Sequence, residues 1–336
     1  MMISFFDKQK KIKIIKAVLV VFLCFQFTVP SLAQSSYTQR DDVKMFIDEM
    51  AKKHRYDREI LTKWFSSAER LDDVLEKIAS PAEKTHTWKE YRPIFITKNR
   101  IALGKKFMEE HRDLLEKAEK ETGVPASIIT AIIGVETYYG RSKGRTAVFD
   151  SLVTLGFDYP PRSSFFRSEL EQFLLLAREE NIDVSTIRGS YAGAMGVPQF
   201  ISSSYRRYAV DFDGDGKRDL WNNMADVIGS VANYFKVHGW QKQGDVVKAA
   251  SVKKRPDDAT RNNLKPHTSI GEFRKRGIIS GKAYADDVMA TLVTLEGAQG
   301  TEYWFGLKNF YVITRYNHSA LYAMAVFQLS QELGRG

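Results

Sequence analysis

The chain has 336 residues, of which 43% are apolar and 27% charged, with a formal net charge of +9 and one cysteine. This length allows a sizeable core and two or three domains, and the composition is that of an ordinary globular protein. Residues 1–33 contain five Lys and one Asp, so their removal would lower the net charge from +9 to +5. This mild excess, without a nucleic-acid-binding motif, favours an anionic polymer surface as partner over a nucleic acid.

The first 33 residues have the pattern of a cleavable secretory signal. Five lysines precede the apolar run AVLVVFLCFQFTV, and SLA ends at Ala33 with small residues at the −3 and −1 positions. A transmembrane anchor is the alternative, although the run is short for a span. Cys24 follows Phe22 and Leu23, which do not suit lipid attachment. We therefore expect a soluble periplasmic protein whose mature form has no cysteine and no membrane span.

A helical pattern begins at Asp41 and continues to about Gly123. It comprises DDVKMFIDEMAKKH, DREILTKWFSS, RLDDVLEKIA and a long amphipathic run from Asn99 to Glu121. Residues 34–40 are polar, and we expect them to be disordered. These features predict an N-terminal helical domain at 34–100.

The next predicted helix, at 125–139, carries a carboxylate on its apolar face. Pro125 suits the first helical position, and the isoleucines of SIITAII form an apolar stripe that reaches Glu136 one turn later. Gly140 is the predicted helix stop. Burial and the negative end of the helix dipole should both raise the pKa of Glu136.

Such a carboxylic acid suits the protonation of a glycosidic oxygen. Thr137, Tyr138, Tyr139 and Arg141 surround Glu136 with hydrogen-bonding and aromatic groups that suit sugars. The alternative is a glutamate at a helix end whose side chain extends into solvent.

The segment GSYAGAMGVPQF, residues 189–200, is rich in small residues that neither fill a core nor hold a helix. Its glycines allow the backbone to approach another group closely. Ser190, Tyr191 and Gln199 supply polar contacts, and Phe200 is a candidate stacking face. A tight crossover loop is the alternative.

The segment DFDGDGKRDLWNN has the spacing of an EF-hand calcium loop. The ligands at positions 1, 3, 5 and 7 would be Asp211, Asp213, Asp215 and the Lys217 carbonyl. Position 12 is Asn222 instead of glutamate, and the next carboxylate, Asp226, comes four residues late. Alternating aspartates repel one another without a cation, so we expect structural calcium; a solvated acidic turn is the alternative.

Helices are also predicted for RSELEQFLLLAREE, VPQFISSSYRRYA and NNMADVIGSVANYFKVHGW. The segments DVMATLVTLEG and TEYWFGLKNFYVITRY alternate as strands around GAQG and predict a hairpin. A last helix begins near Ser319, with Tyr322, Val326, Leu329 and Leu333 on one face. The scattered histidines exclude the usual zinc-enzyme motifs, and no nucleophile elbow or phosphate loop occurs.

Four motifs taken together resemble the lytic murein transglycosylase B family: AIIGVETYYGR, SYAGAMGVPQF, the aspartate loop leading to DVIGSVANYF, and FYVITRYNHS. The resemblance extends from about residue 41 to the C-terminus. It implies a mainly α (α+β) protein. A lysozyme-like helical core at 101–241, completed by 305–336, would lie beside the helical domain and a small inserted β-containing domain at 242–304.

The resemblance also implies an activity. Members cleave the MurNAc–GlcNAc β-1,4 bond of peptidoglycan without water and leave a 1,6-anhydro-MurNAc end. No cofactor is needed for catalysis, and glycan strands of peptidoglycan are the expected partner. Cell-wall synthesis or division proteins are candidate partners that the sequence does not identify.

The site residues carry over by motif. Glu136 of GVET corresponds to the sole catalytic acid and base. Residues of the glycan groove correspond to Ser190, Gln199, Tyr234, Tyr316 and Asn317, and we add Tyr139, Arg162 and Phe200 as substrate-binding candidates. The metal loop corresponds to Asp211, Asp213, Asp215, Lys217 and Asp226.

Two departures from the family matter. Pro161 stands where we expect an arginine pair, which leaves Arg162 alone and weakens the expected contacts to the peptide stem. Many members are lipoproteins, whereas this chain has no usable lipobox.

Two other functions remain open from the sequence. One is a lysozyme-type hydrolase that uses water and a second carboxylate, such as Asp150 or Asp158. The other is a non-catalytic, calcium-stabilised glycan-binding protein.

Overall fold

The computed structural model of the chain describes residues 36–79, 86–253 and 263–335. The predicted secretory signal, its cleavage site near Ala33 and Cys24 lie outside these residues. Within the described ranges, no helix is long and apolar enough to cross a membrane.

The N-terminal part of the described chain is helical, as the sequence predicts. Its α-helices are α1 (Asp41–His54), α2 (Arg58–Ser66), α3 (Asp72–Ala79), α4 (Trp88–Phe95), α5 (Lys98–Glu110) and α6 (Arg112–Thr122). The amphipathic run predicted from Asn99 to Glu121 is two helices, because the backbone of His111 leaves helical geometry with φ −117°.

The expected disorder of residues 34–40 is wrong for the part that the structure describes. A short 3-10 helix covers Tyr37–Gln39, and the Tyr37 side chain is buried. The Tyr37 hydroxyl donates a hydrogen bond of 2.6 Å to Asp158. Tyr37 and the ion pair of Arg40 with the same aspartate attach this segment to the core.

The remaining described α-helices surround the candidate site or belong to the sheet. They are α7 (Ala126–Thr137), α8 (Val148–Asp158), α9 (Ser163–Glu179), α10 (Ser202–Tyr208), α11 (Met224–Val237), α12 (Ile270–Lys275), α13 (Lys308–Tyr316) and α14 (Ala320–Gly334). Helix α7 is apolar around most of its circumference and is therefore central. It packs against α14, α5, α6 and α11.

The sheet of the described residues is antiparallel and lies late in the chain. Its strands are β3 (Val247–Val252), β4 (Thr268–Ser269), β5 (Ile278–Ser280), β6 (Met289–Gly297) and β7 (Gly300–Gly306), in the order β4-β6-β7-β3-β5. The predicted hairpin is confirmed, since β6 and β7 pair up to Gly297 and Gly300. Helix α12 covers the sheet through Ile270 and Phe273. Two further short strands, β1 (Thr146–Ala147) and β2 (Arg188–Gly189), pair beside the candidate site.

Two predicted elements differ from the structure. Helix α10 begins only at Ser202, because residues 197–200 form turns and a bridge. The strand predicted to continue through KNFYVITRY ends at Gly306, and this segment is helix α13. Its aromatic and β-branched residues favour a strand locally. The buried Asn309 instead bonds Gln241 at the start of the helix, and tertiary packing overrides the local preference.

Candidate active site

Glu136 lies one residue before the end of α7 and is half-buried. Its Oε1 accepts a hydrogen bond of 2.5 Å from the hydroxyl of Tyr322 on α14. Burial, followed by the negative charge of Glu136, raises the pKa of Tyr322 well above its usual range. The phenol therefore stays protonated and acts as a donor that holds the carboxyl group in one orientation.

A second tyrosine extends this contact toward the glycine-rich loop. Tyr316, at the end of α13, stacks on Tyr322 with ring centroids 6.4 Å apart and an angle of 12° between the rings. Its hydroxyl donates a hydrogen bond of 2.5 Å to the Pro198 carbonyl. Burial, and then the charge of Glu136, raises the pKa of Tyr316 as well. Two uncharged phenols thus lie beside the one carboxylate.

The end of α7 has an unusual backbone. Tyr138 and Tyr139 have φ values of 53° and 62°, followed by Gly140 at 81°, so the helix ends at Thr137 and not at the predicted Gly140. The Tyr139 N–H bonds the Ile133 carbonyl, as in a Schellman motif. Non-glycine residues in this conformation are strained and mark candidate functional sites.

Residues of α5 hold this strained turn. The Tyr139 hydroxyl donates to the Arg100 carbonyl at 2.9 Å, and a Cβ atom at Gly104 would lie 2.4 Å from the same hydroxyl oxygen. The Arg100 guanidinium lies 4.8 Å from the ring centroid of Tyr138. Tyr139, predicted to contact substrate, therefore uses its ring and hydroxyl against α5, and we now expect it to fix the helix end.

Thr137 connects the same turn to the glycine-rich loop. Its side chain is 1% exposed, and its hydroxyl donates to the Val197 carbonyl at 2.8 Å. The same oxygen accepts from the Gly140 N–H at 3.1 Å. The helix end that carries Glu136 and the loop at 189–200 are consequently held together by a buried hydrogen bond.

The glycine-rich loop folds back on itself and places two predicted groove residues. The Ser190 hydroxyl oxygen accepts the N–H groups of Ala192 and Ala194, and the Gln199 amide nitrogen donates to the Gly196 and Lys143 carbonyls. Neither the hydroxyl proton of Ser190 nor the amide oxygen of Gln199 takes part in a hydrogen bond among the described residues. These two groups are the polar contacts that the loop offers to a ligand.

Phe200 and Tyr234 are more buried than a substrate-binding role requires. Phe200 is 2% exposed, and its ring packs between those of Tyr234 and Tyr316, at centroid distances of 5.6 and 5.7 Å. The Tyr234 hydroxyl donates to the Arg315 carbonyl at 2.5 Å. We now expect both rings to pack against Tyr316 and hold it in place instead of stacking on a sugar.

The other two predicted groove residues lie at different places. Asn317 follows Tyr316 directly at the end of α13 and is half-buried. Arg162 is exposed on the short 3-10 helix Pro160–Arg162, with its guanidinium 4.3 Å from the ring centroid of Phe165. Asn317 therefore lies next in the chain to a residue of the Glu136 cluster, whereas none of the contacts described for Arg162 connects it to that cluster.

Three of the predicted metal ligands lie together. Carboxylate oxygens of Asp211, Asp213 and Asp226 all lie within 4.8 Å of one another. Asp226 is fully buried, and burial raises its pKa, with the neighbouring Asp213 and Asp211 acting in the same direction. An oxygen-rich group of like charges with a buried member fits a hard cation such as calcium.

The remaining loop residues have other contacts. The Asp215 carboxylate accepts the Lys217 N–H at 2.8 Å, and Asp219 accepts the N–H groups of Trp221 and Asn222. The far side of the loop reaches the active-site loop, because the Val197 N–H donates to the Leu220 carbonyl at 2.8 Å.

Asp158 and Asp150, the candidate second carboxylates of a hydrolase, have structural partners. Asp158 accepts the Tyr37 hydroxyl and forms an ion pair with Arg40 at 2.5 Å. Asp150 accepts the Glu69 N–H at 3.3 Å, and burial raises its pKa. Neither arrangement suits a nucleophile or a base that activates water near Glu136.

The sequence did not assign a site role to Tyr322. It placed this residue only on the apolar face of the last helix. The available signal was that Tyr322 is the one hydroxyl among the four residues of that face. A hydroxyl on an otherwise apolar helix face indicates a hydrogen-bond partner inside the protein.

Comparison with known proteins identifies the family. A model described as the transglycosylase SLT domain matches residues 38–331. The chain belongs to this family. Its members include the membrane-bound lytic murein transglycosylase B of Escherichia coli K12, which is 44% identical over 304 residues, covering 88% of this chain and 83% of that protein.

Solved structures of family members have the same fold. The catenated lytic transglycosylase SltB1 from Pseudomonas aeruginosa is 50% identical, with a TM-score of 0.85 over 89% of this chain and 99% of that one. The E. coli lytic transglycosylase Slt35 in complex with calcium is 44% identical, with a TM-score of 0.80 over 87% of this chain and 92% of that one. The resemblance inferred from four motifs and the predicted mainly α fold with a lysozyme-like core are confirmed. The predicted domain boundaries stay a prediction.

Proposed function

We propose that Glu136 is the single acid and base of a peptidoglycan lytic transglycosylase. The enzyme class follows from family membership and from the murein-cleaving relative that is 44% identical. The observation that carries the assignment of the residue is the contact between Glu136 and Tyr322, which fixes a half-buried carboxyl group at a strained helix end.

Cleavage requires that the catalytic group donate one proton and then accept another. Protonated Glu136 donates to the oxygen of the leaving GlcNAc while positive charge develops at the anomeric carbon of MurNAc. The N-acetyl oxygen of the substrate stabilises that carbon, so no second carboxylate is needed. Ionised Glu136 then accepts the proton of the MurNAc C6 hydroxyl, whose oxygen bonds the anomeric carbon and closes the 1,6-anhydro ring. No water is consumed, and Glu136 ends protonated.

Tyr322 contributes to both halves of this cycle. A donor to the carboxylate stabilises the ionised state that forms after the first proton transfer. Because Tyr322 is held by stacking on Tyr316, the carboxyl group needs no reorientation between the two steps. Tyr322 is therefore a positioning residue in our proposal.

The groove residues supply binding. We propose that the Ser190 hydroxyl proton, the Gln199 amide oxygen and Asn317 contact the glycan, with Tyr316 as a neighbouring ring. Arg162 is proposed to contact the peptide stem as the one arginine left beside Pro161. Phe200, Tyr234 and Tyr139 act by holding these groups in place.

We propose structural calcium at the aspartate loop. The support comes from the three clustered carboxylates and from the calcium complex of a relative that is 44% identical. Asp211, Asp213 and Asp226 would supply carboxylate oxygens, with Asp215 and the Lys217 carbonyl completing the set. The loop contacts the active-site loop through Leu220 and Val197, so the ion would stabilise the groove and take no part in proton transfer.

Export to the periplasm is part of the proposal, supported by the signal pattern of residues 1–33. The test of function compares wild type with Glu136→Gln on purified sacculi. Wild type should release soluble muropeptides, whereas E136Q should bind sacculi and melt like wild type but release nothing. Release by E136Q would contradict the assignment, and lack of release by wild type would favour the non-catalytic alternative.

A further inference from the structure

A second large cleft lies between the helical part of the molecule and the sheet. One wall is helix α4, another is the β6–β7 hairpin, and the third is the C-terminal half of α14. Its volume is about 900 Å³, enough for several sugar rings. None of the residues that we assign to the Glu136 site lines it.

The cleft faces a different side of α14 from the active site. Tyr322 and Gln331 are nine residues apart, which is two and a half helical turns. Their side chains therefore project from opposite sides of the helix. Tyr322 is buried against Glu136, whereas Gln331 is exposed in the cleft. A ligand in the cleft would be separated from Glu136 by the helix itself.

Aromatic rings give the cleft its most specific feature. Trp304 on β7 is half-buried there, and its indole N–H donates to Glu302 at 3.2 Å. Trp88 on α4 also lines the cleft and is 1% exposed, but its indole Nε1 has no hydrogen-bond partner. A buried N–H group without an acceptor is costly, and such groups are rare in proteins. At this exposure Trp88 forms the floor of the cleft, and Trp304 is the aromatic ring that a ligand can reach.

The polar lining of the cleft includes three amides as well as charged side chains and hydroxyls. Gln299 at the hairpin tip and Gln331 on α14 are both exposed in the cleft. Amide groups offer donors and acceptors together, as a hydroxyl-rich ligand requires. A half-buried indole flanked by amides is the arrangement that suits a sugar ring, whose C–H face packs on the aromatic ring while its hydroxyls bond the amides.

The charges in the cleft are nearly balanced. Arg335 forms an ion pair with Glu332, and Arg92 donates to Gln328 at 2.6 Å. Lys89 and Glu302 add one charge of each sign. An acidic stem peptide would favour a surplus of cations, so the charge balance favours a neutral glycan.

We propose that this cleft is an auxiliary binding site for a glycan strand of peptidoglycan, distinct from the catalytic groove and centred on Trp304. The inference rests on the proposed function, since the strand is the substrate of the same enzyme. The site holds the enzyme on the polymer between cleavage events. It contributes little to the non-hydrolytic cleavage of a short fragment. Its ligand is the sugar backbone, not the peptide.

The kinetic test compares two substrates in wild type and in Trp304→Ala. One substrate is purified sacculi, and the other is a soluble GlcNAc–MurNAc tetrasaccharide too short to occupy both sites. We expect W304A to lower kcat/KM for sacculi about five- to tenfold more than kcat/KM for the tetrasaccharide, the effect of losing one aromatic contact. The change should lie in the apparent KM. Ile279→Ala, an exposed position on β5 outside the cleft, is the matched control.

A second test measures glycan binding in the cleft directly. In E136Q, addition of the GlcNAc tetramer should shift the indole N–H resonance of Trp304, and Gln331→Ala should weaken this response. Because Gln331 is exposed, Q331A tests the cleft even if W304A is unstable. If W304A and Q331A lower kcat/KM equally for both substrates and the Trp304 indole signal does not shift, the proposal of an auxiliary site is wrong. Inactive wild type would instead contradict the proposed function.

Discussion

The hydroxyl of Tyr322 donates a hydrogen bond of 2.5 Å to Glu136, which lies 186 residues earlier in the chain. The contact joins helix α14 to the end of helix α7 at the only point where a carboxylate lies on the apolar face of α7. It couples the packing of these two core helices to the candidate acid.

Tyr322→Phe should lower kcat and move the alkaline limb of the pH–rate profile to higher pH. The missing hydroxyl no longer stabilises the ionised carboxylate, so Glu136 stays protonated to higher pH. A hydrogen bond to a charged group is worth about 1.5 kcal/mol, which corresponds to a shift of about one pH unit. The profile is measured with a soluble glycan, and an unchanged alkaline limb would show that Tyr322 does not position the acid. Phenylalanine keeps the ring that stacks on Tyr316, so the melting temperature serves as the control for folding.

Thr137→Val should destabilise the protein and reduce activity together. It removes the hydroxyl that bonds Val197 and leaves a buried carbonyl without its donor, at a cost of about 1–3 kcal/mol. Urea unfolding measures the free energy of unfolding. Thr137→Ser keeps the hydroxyl and is the matched control. Equal free energies of unfolding for the valine and serine variants would show that this hydrogen bond does not hold the end of α7 to the loop at 189–200.

Gly104→Ala should destabilise the turn behind Glu136. A Cβ atom there would lie 2.4 Å from the Tyr139 hydroxyl oxygen and 2.5 Å from Leu333 Cδ2, so the side chains of Tyr139 and Leu333 would have to move. We expect a loss of about 1–3 kcal/mol. Gly334→Ala is the matched control, because no atom lies within 4 Å of a Cβ at that position. Similar unfolding curves for the two variants would contradict the close packing.

Calcium should raise the melting temperature, and Asp226→Asn should abolish the response. A ligand that binds only the folded state at 100 times its Kd adds about 2.7 kcal/mol to the free energy of unfolding, or roughly 5 °C for a protein of this size. Scanning calorimetry with calcium or a chelator measures the shift. Asp183→Asn changes an exposed aspartate that accepts the Ser185 N–H outside the metal cluster, and it should respond like wild type. A response that survives in D226N would place the ion elsewhere.

Sequence patterns predict most of the helices and single out Glu136 because both depend on local periodicity. Glu136 interrupts an isoleucine stripe, and the hairpin turns at small residues between alternating strands. The metal loop is recognisable because its aspartates are spaced by the geometry of one turn. These features are short-range, so one sequence is sufficient to find them.

The parts that sequence reasoning missed depend on contacts between distant segments. KNFYVITRY has strand-like composition, but burial of Asn309 against Gln241 makes it helix α13. Tyr139 and Phe200 are aromatic residues of the kind that bind sugars. In the structure, however, Tyr139 contacts α5 and Phe200 packs against neighbouring tyrosines. Tyr322 was placed on the core face without a partner, because nothing local indicates that Glu136 lies opposite.

The mass of the released sugars shows whether the C6 hydroxyl of MurNAc or a water molecule attacks the anomeric carbon. Sacculi digested by wild type in H₂¹⁸O should yield muropeptides with 1,6-anhydro-MurNAc ends, one water lighter than hydrolysis products and without ¹⁸O at the anomeric carbon. Glu136→Gln should yield neither product. Reducing MurNAc ends that carry ¹⁸O would show that water attacks the anomeric carbon, and would contradict the account in which Glu136 alone directs the C6 hydroxyl.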